Sequence, residues 1–129
     1  GHLTSDELAD VAANLINLKV KSEDAINLLE QKDFNIALQY NRLSDYQAAI
    51  KSFENFLVDF PGSSLREKAM YYRFDSAYNL AVNSVKWKQP ERIVKTVNYY
   101  NSFKLNYVES DFLKEMDSKM SELEKITNN

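Results

Sequence analysis

Three groups of side chains in this sequence are of types that could do chemistry. Asp6 and Asp10 lie one turn apart on a helical stretch, where two carboxylates could share acid–base work. His2 is the single imidazole. Trp87 stands between Lys86 and Lys88, and an aromatic flanked by cations suits the anchoring of a partner in a pocket. The first two groups do not make a catalyst. The Asp6/Asp10 face is polar throughout, which reads as a solvated stripe, and Gly1-His2 reads as the scar of a cleaved tag. With no cysteine, neither a nucleophile–base pair nor a thiolate metal site is available. The two glycines, Gly1 and Gly62, build no phosphate-cradling loop. No catalytic, cofactor-binding or metal-ligating residue is assigned, and the chemistry left to the chain is binding.

For that binding, Trp87, Lys86 and Lys88 are the sharpest candidates, with Arg92, Arg73, Tyr72 and Tyr99 beside them. Trp87 either meets a partner or folds back over the end of its own helical unit. Arg66, Arg73 and Arg92 pair with acids on a partner, or with the neighbouring Glu67, Asp75 and Glu91. Eight tyrosines suit an interface. Of these, Tyr71, Tyr72, Tyr99 and Tyr107 are too many to face inward together. Glu122 and Glu124 read as a solvated face.

Composition narrows the class of fold. The 129 residues are 44% apolar and 27% charged, enough for one soluble domain with a modest core. Two glycines and two prolines favour long helices over strands. A net charge of −3 with mixed signs gives no basic field for nucleic acid or anionic lipid. No apolar run approaches the roughly 20 residues of a membrane span.

The elements that position the candidate residues follow from capping signals and apolar period. Thr4 and Glu7 are spaced as a capping box for a helix over 4–20, with Leu8, Val11, Ala12, Leu15 and Leu18 on one stripe. Ser22-Glu23-Asp24 is a second start signal, for a helix over 23–43 carrying Ile26, Leu29, Phe34, Ala37 and Tyr40, with a bend near Gln31–Asp33. The first helix would cover the open apolar side of the second. After a turn near Ser44-Asp45, Tyr46, Ala49, Ile50, Phe53, Leu57 and Phe60 line a third helix. Its Lys51, Ser52, Glu54 and Asn55 face water, and Pro61-Gly62 stops it.

Ser63 or Ser64 caps a helix over 65–85 that is apolar nearly all round, as a helix sandwiched between neighbours must be. Lys86–Gln89 is a loop, and Pro90 suits the first turn of a helix over 90–107. Ser110-Asp111 caps a last helix, with Leu113, Met116, Met120 and Leu123 inside and Lys114, Glu115, Lys119, Glu122 and Lys125 outside. Asn128-Asn129 should fray.

The series Tyr40, Asp45-Tyr46, Ala49, Phe53, Phe56 and Pro61 resembles the tetratricopeptide repeat, a helix–turn–helix unit of roughly 34 residues that stacks into protein-binding scaffolds. All six apolar or aromatic members of the series are read as its core signature. Residues 92–110 echo 45–63, with Ile93 at the place of Tyr46, Thr96 at Ala49, Tyr100 at Phe53, Phe103 at Phe56 and Val108 at Pro61. The expected fold is an all-α, tetratricopeptide-like helical-hairpin solenoid of about six helices with a C-terminal capping helix. Residues 1–2 are the tag remnant and 3–129 a single domain, with repeats at about 29–61 and 64–108 and the cap at 111–126.

Ala48–Pro61, Arg66–Tyr72 and Ala77–Val85, with the loop leading to Glu91-Arg92, resemble the outer-membrane assembly lipoprotein family BamD. The lengthened helix and loop look like its Bacteroidetes-type branch. The resemblance covers about 29–126, matches the C-terminal half of such proteins, and lacks their lipid-bearing cysteine and first repeats. It implies a periplasmic, lipid-anchored scaffold of the β-barrel assembly complex, contacting the periplasmic domains of the barrel subunit and accessory lipoproteins. Any membrane contact would run through that anchor. The alternative is another periplasmic tetratricopeptide adaptor of the cell envelope. A chaperone-tail clamp is disfavoured because Phe34 and Leu38 hold the inner positions where that class needs Lys and Asn.

Overall fold

The computed structural model describes residues 1–128; of the two asparagines expected to fray, Asn129 lies outside the described residues. Five α-helices follow one another with no strand among the described residues: α1 (Ser5–Arg42), α2 (Tyr46–Asp59), α3 (Arg66–Val82), α4 (Gln89–Asn106) and α5 (Leu113–Thr127). A 3-10 turn, Lys86–Lys88, precedes α4. Packing runs in order, α1 on α2, α2 on α3, α3 on α4 and α4 on α5, as in a helical solenoid.

The expected pair of helices over 4–20 and 23–43 is instead one 38-residue helix. Ser22 could start a second helix only by leaving the helical backbone conformation. No glycine or proline between Thr4 and Leu43 forces that departure, and nothing folds back to reward it. Gln31 Nε2 donates to Asn35 Oδ1 at 2.9 Å, so the helix also runs on unbroken through 31–33. The N-terminal half therefore does not cover the C-terminal half. Residues 1–29 are all exposed, including Ile26 and Leu29, and only Phe34 and Ala37 of α1 are buried. Thr4 caps as expected, its Oγ1 accepting from Glu7 N at 3.2 Å.

The α1–α2 turn is a Schellman motif. Asp45 N donates to Tyr40 O at 2.9 Å and Ser44 N to Asn41 O at 3.0 Å, with Ser44 left-handed at φ 63°. Asp45 Oδ1 then accepts from Ala48 N at 3.3 Å, capping α2. Tyr40 is exposed, contrary to its place in the core signature. Phe34, Ala37, Leu38 and Asn41 form the packed stripe, and Tyr40 stands roughly a third of a turn round from it.

The turns after α2 and α4 superimpose bond for bond. Phe60 N donates to Phe56 O at 2.9 Å, Ser63 N to Phe60 O at 3.1 Å and Leu65 N to Ser63 Oγ at 3.0 Å. At the matching places Tyr107 N donates to Phe103 O at 2.8 Å, Ser110 N to Tyr107 O at 3.2 Å and Phe112 N to Ser110 Oγ at 3.1 Å. Phe60 (φ −130°, ψ 61°) and Tyr107 (φ −137°, ψ 67°) share one conformation. Val108 therefore replaces Pro61 without changing the turn, since both are exposed and neither donates within it. Ser63 and Ser110 thus serve the turn before each helix, whose N-cap positions are Leu65 and Phe112.

Two cores stack along the chain, and α3 feeds both. The first holds Phe34, Ala37, Ala49, Phe53, Phe56 and Ala69, with Tyr72 stacked on Phe53 at 6.1 Å between ring centroids. The second holds Met70, Tyr71, Phe74, Phe103 and Met116, with Tyr71 stacked on Phe112 at 4.2 Å. Thr96 is fully buried like its counterpart Ala49, its hydroxyl donating to Arg92 O at 2.8 Å. Helix α3 stops at Val82, three residues before the expected end. Asn79, Asn83 and Ser84 give their side chains to the carbonyls of Asp75, Asn79 and Leu80, offering the backbone a way out of the helix.

A polar tie holds the terminal helix. Lys119 Nζ of α5 lies 2.5 Å from Asp75 Oδ1 of α3, while Asn41 Nδ2 of α1 donates to Asp75 Oδ2 at 3.1 Å. Lys119 was expected on the outer face but turns inward. Asp75 accordingly pairs across the fold and not with the adjacent Arg73. Glu115 joins the tie, meeting Lys119 at 3.1 Å and accepting from Tyr71 Oη at 2.6 Å.

Candidate functional site

Past the end of α3 the chain makes a short connection held by its own polar side chains. Gln89 Nε2 donates to Ala81 O at 3.2 Å, Lys88 N to Val85 O at 3.0 Å, and Arg92 Nη1 to Ser84 Oγ. These bonds fix both ends of the 3-10 turn and leave Trp87 at its apex, 78% exposed. That exposure overturns the reading in which Trp87 folds back to close its unit. Its one aromatic contact of note is Lys88 Nζ, 4.9 Å from the ring centroid, which holds a cation against the indole face. Lys86 is exposed beside it.

Arg92 carries this loop into a groove of about 490 Å³ between α2 and α4. Ile50 and Leu80 supply its apolar floor, and Gln47, Lys51, Glu54, Glu91, Arg92 and Lys95 its polar walls. The groove is an open cleft with mixed charge, suited to a protein segment that brings an apolar side chain and polar neighbours. Lys51, Glu54 and Lys95 were not among the sequence candidates. Lys51 and Glu54 were read as facing water, because helical period marks them as off the buried stripe of α2. Only the arrival of α4 gives them a neighbour.

Glu54 is the electrostatic centre of the far wall. Tyr99 Oη donates to Glu54 Oε1, and Lys95 Nζ lies 3.4 Å from the same oxygen. Partial burial pushes the carboxyl up, but the Tyr99 hydroxyl and the Lys95 ammonium outweigh it and hold Glu54 below its ordinary value. Burial first, and then the bond to Glu54, push the Tyr99 hydroxyl well above its ordinary value. Arg73 stacks over Tyr99, its Cζ 4.1 Å from the ring centroid. Burial lowers the Arg73 guanidinium, partly offset by Tyr99 and Glu54, and its Nε is buried without a hydrogen-bond partner.

The structure thus divides the sequence candidates. Lys86, Trp87 and Lys88 share one turn, with Lys86 and Trp87 exposed, and half-buried Arg92 follows in the first turns of α4, tied back to it through Ser84. Arg73 and Tyr99 form a brace behind the groove wall through Glu54. Tyr72 lies in the first core, edge-on to Phe34 at 6.2 Å, and is not on this face. None of the three arginines pairs with an adjacent acid. Arg66 Nη1 donates to Tyr107 Oη at 2.9 Å, Arg73 stacks on Tyr99, and Arg92 meets Ser84. All four tyrosines of the sequence reading are at least half-buried, so they serve packing with their hydroxyls at the rim. Glu122 pairs only with Lys125, at 3.1 Å, on a solvated face.

Among the described residues no cluster of His, Cys, Asp or Glu could hold a metal ion. No described helix is long and apolar enough to cross a membrane. A family model described as "Outer membrane lipoprotein", YfiO, matches residues 5–127. The match begins well before residue 29, so the free half of α1 is part of the family region and not an addition to it. Comparison with curated proteins gives no match. The chain belongs to the YfiO family, the BamD-like outer membrane lipoproteins.

Proposed function

We propose that this chain is a non-catalytic protein-binding scaffold of the machinery that assembles β-barrels into the outer membrane, working on the periplasmic face. The observation that carries the reading is the family match over residues 5–127, on a fold of stacked hairpins of the kind that serves as a protein-binding scaffold. The resemblance to Bacteroidetes-type members rests on the sequence of α3 and the loop that follows it, and the resemblance to the C-terminal half of the family's proteins on the lipid-bearing cysteine and first repeats that this chain lacks. Attachment to the membrane would run through a lipid on a cysteine, a residue this chain does not itself contain. Its partners would be the periplasmic domains of the barrel subunit and accessory lipoproteins.

Within that role, Trp87 with Lys86, Lys88 and Arg92 is the contact element, and the α2–α4 groove receives the adjoining part of the partner. A large aromatic at 78% exposure on a hydrogen-bonded turn is a rigid anchor, costing little conformational entropy when bound. Arg73, Tyr99 and Glu54 hold the groove wall in place. The test is an affinity pull-down from a native outer-membrane extract with the intact chain and with Trp87→Ala. Recovery of the barrel subunit, lost in the variant, supports both role and site. Equal recovery by both moves the contact elsewhere on the surface. Recovery of peptidoglycan or other envelope proteins instead would make the chain a different periplasmic adaptor.

A further inference from the structure

Among the described residues the first half of α1 has no neighbour. Leu8, Val11, Leu15 and Leu18 are 54%, 45%, 61% and 60% exposed on a helix that touches the rest of the chain only further along. Their spacing, three then four then three, is that of the a and d positions of a coiled coil. Helices of this kind draw most of their stability from the packing of such a face. Acids and bases are also separated along the same stretch, with Asp6, Glu7 and Asp10 at its start and Lys19 and Lys21 two turns on.

We propose that this stripe is the seam of an antiparallel pairing with a second copy of the chain. Place the two-fold axis beside Ala12 and Asn14. Leu8 then meets the partner's Leu18, Val11 meets the partner's Leu15, and the same two contacts recur by symmetry. In that register Glu7 flanks the seam opposite the partner's Lys21, giving two ion pairs per dimer. Ala12 and Asn14 meet their own copies at the axis, where a small and an uncharged polar residue fit. A parallel pairing uses the same four apolar residues but sets Glu7 beside Ala12 and brings the acidic first turns of both copies together. Charge therefore selects the antiparallel form and a second copy as occupant.

The seam, counted from Glu7 to Lys21, spans about 21 Å of helix, from the rise of 1.5 Å per residue. That is shorter than the interface of a tight complex, so the dimer is a weak one, with Kd of roughly 10–100 µM. Sedimentation equilibrium of the whole chain over roughly 5–500 µM spans that range. The intact chain should pass from monomer to dimer, and Leu15→Glu should stay monomeric with the far-UV circular dichroism of the dilute, monomeric intact chain, since Leu15 touches no core. Glu7→Lys and Lys21→Glu should each weaken the dimer about fivefold, as lost and reversed rim ion pairs do. The two substitutions together should restore it. A chain that stays monomeric throughout, or a dimer indifferent to Leu15→Glu, overturns the pairing. A double variant no tighter than the singles overturns the antiparallel register.

Discussion

Asp75 is the residue on which the position of the terminal helix depends, and removing its carboxylate is the sharpest test of that dependence. Its side chain is 13% exposed and that of Lys119 is 21% exposed, so the pair is mostly but not wholly withdrawn from water. Stripping one partner from a fully buried pair costs about 3–5 kcal/mol, because a charge is left without compensation. Residual solvent access at both groups, and the Glu115 carboxylate that still meets Lys119 at 3.1 Å, discount that figure by roughly half. The amides of Asn41 and Asn79 lose an acceptor as well, at 3.1 and 3.4 Å. Asp75→Ala is therefore expected to cost about 2–3 kcal/mol. For a domain of this length each kcal/mol lowers the melting temperature by about 4 °C, so melting should fall by about 8–12 °C. Denaturant unfolding at pH 7 measures the loss, and adding Lys119→Met to the variant tests its origin. If the stranded ammonium is the cause, the double variant recovers most of the stability. A loss below about 0.5 kcal/mol, the size of an ordinary surface pair, would refute the reasoning. So would a double variant as unstable as the single one.

Three other outcomes are expected. Phe103→Ala, at a fully buried ring in the second core, should cost about 3–5 kcal/mol in denaturant unfolding, whereas Val58→Ala, at 78% exposure, should change stability by less than about 0.5 kcal/mol. Ser44→Gly should raise stability by about 0.5–1 kcal/mol, because Ser44 holds a left-handed conformation at φ 63° that glycine adopts without steric cost. A melting temperature that falls on this change would show the Ser44 side chain matters more than its backbone. Stability should be flat across neutral pH and fall at both ends. Glu54 and Glu115 are held below the ordinary 4.5, so what they contribute is present above that pH and lost as pH drops beneath it. Tyr71, Tyr99, Tyr100 (pushed up to about 12 by its bond to Asp117) and Lys119 are held above their ordinary values. Their share is present below about pH 10 and lost as pH rises from there. Unfolding midpoints at pH 3.5, 7 and 11, chosen on either side of these ordinary pKa values, check both limbs.

Helices α2 to α5 and the buried rings Phe53, Phe56, Phe74 and Phe103 were legible from the sequence because each depends on neighbours within a turn or two of the chain. Asp45 caps α2 locally, Pro61 cannot continue it, and apolar residues three and four apart share a face whatever surrounds them. The echo of 45–63 in 92–110 was legible for the same reason, and it extends to the hydrogen bonds of the turn even where Val108 replaces Pro61. A period, however, says which side chains share a face and not whether that face has a neighbour. The stripe through Leu8 and Leu15 reads like the stripe through Phe53, yet only the second is covered. Tyr40, Lys119 and Glu54 were misplaced by that gap, since their surroundings come from helices far along the chain.

Ser22-Glu23-Asp24 shows the same limit at the level of an element. A start signal becomes a helix start only when the chain turns back and packing repays the broken helical bonds, and here nothing does. The candidate contact residues divide in the same way. Trp87 between two lysines is a fact of sequence, and its standing clear of the fold was decided by the bonds of Gln89 and Arg92 across the loop. The groove beside it exists only because α4 comes alongside α2, with Lys95 and Tyr99 reaching Glu54, and no local pattern records that. Composition, capping and period determined an all-α chain of stacked hairpins. Tertiary structure decided which faces are closed, which charges meet, and which side chains remain free to meet a partner, because each of those depends on contacts between residues distant in sequence.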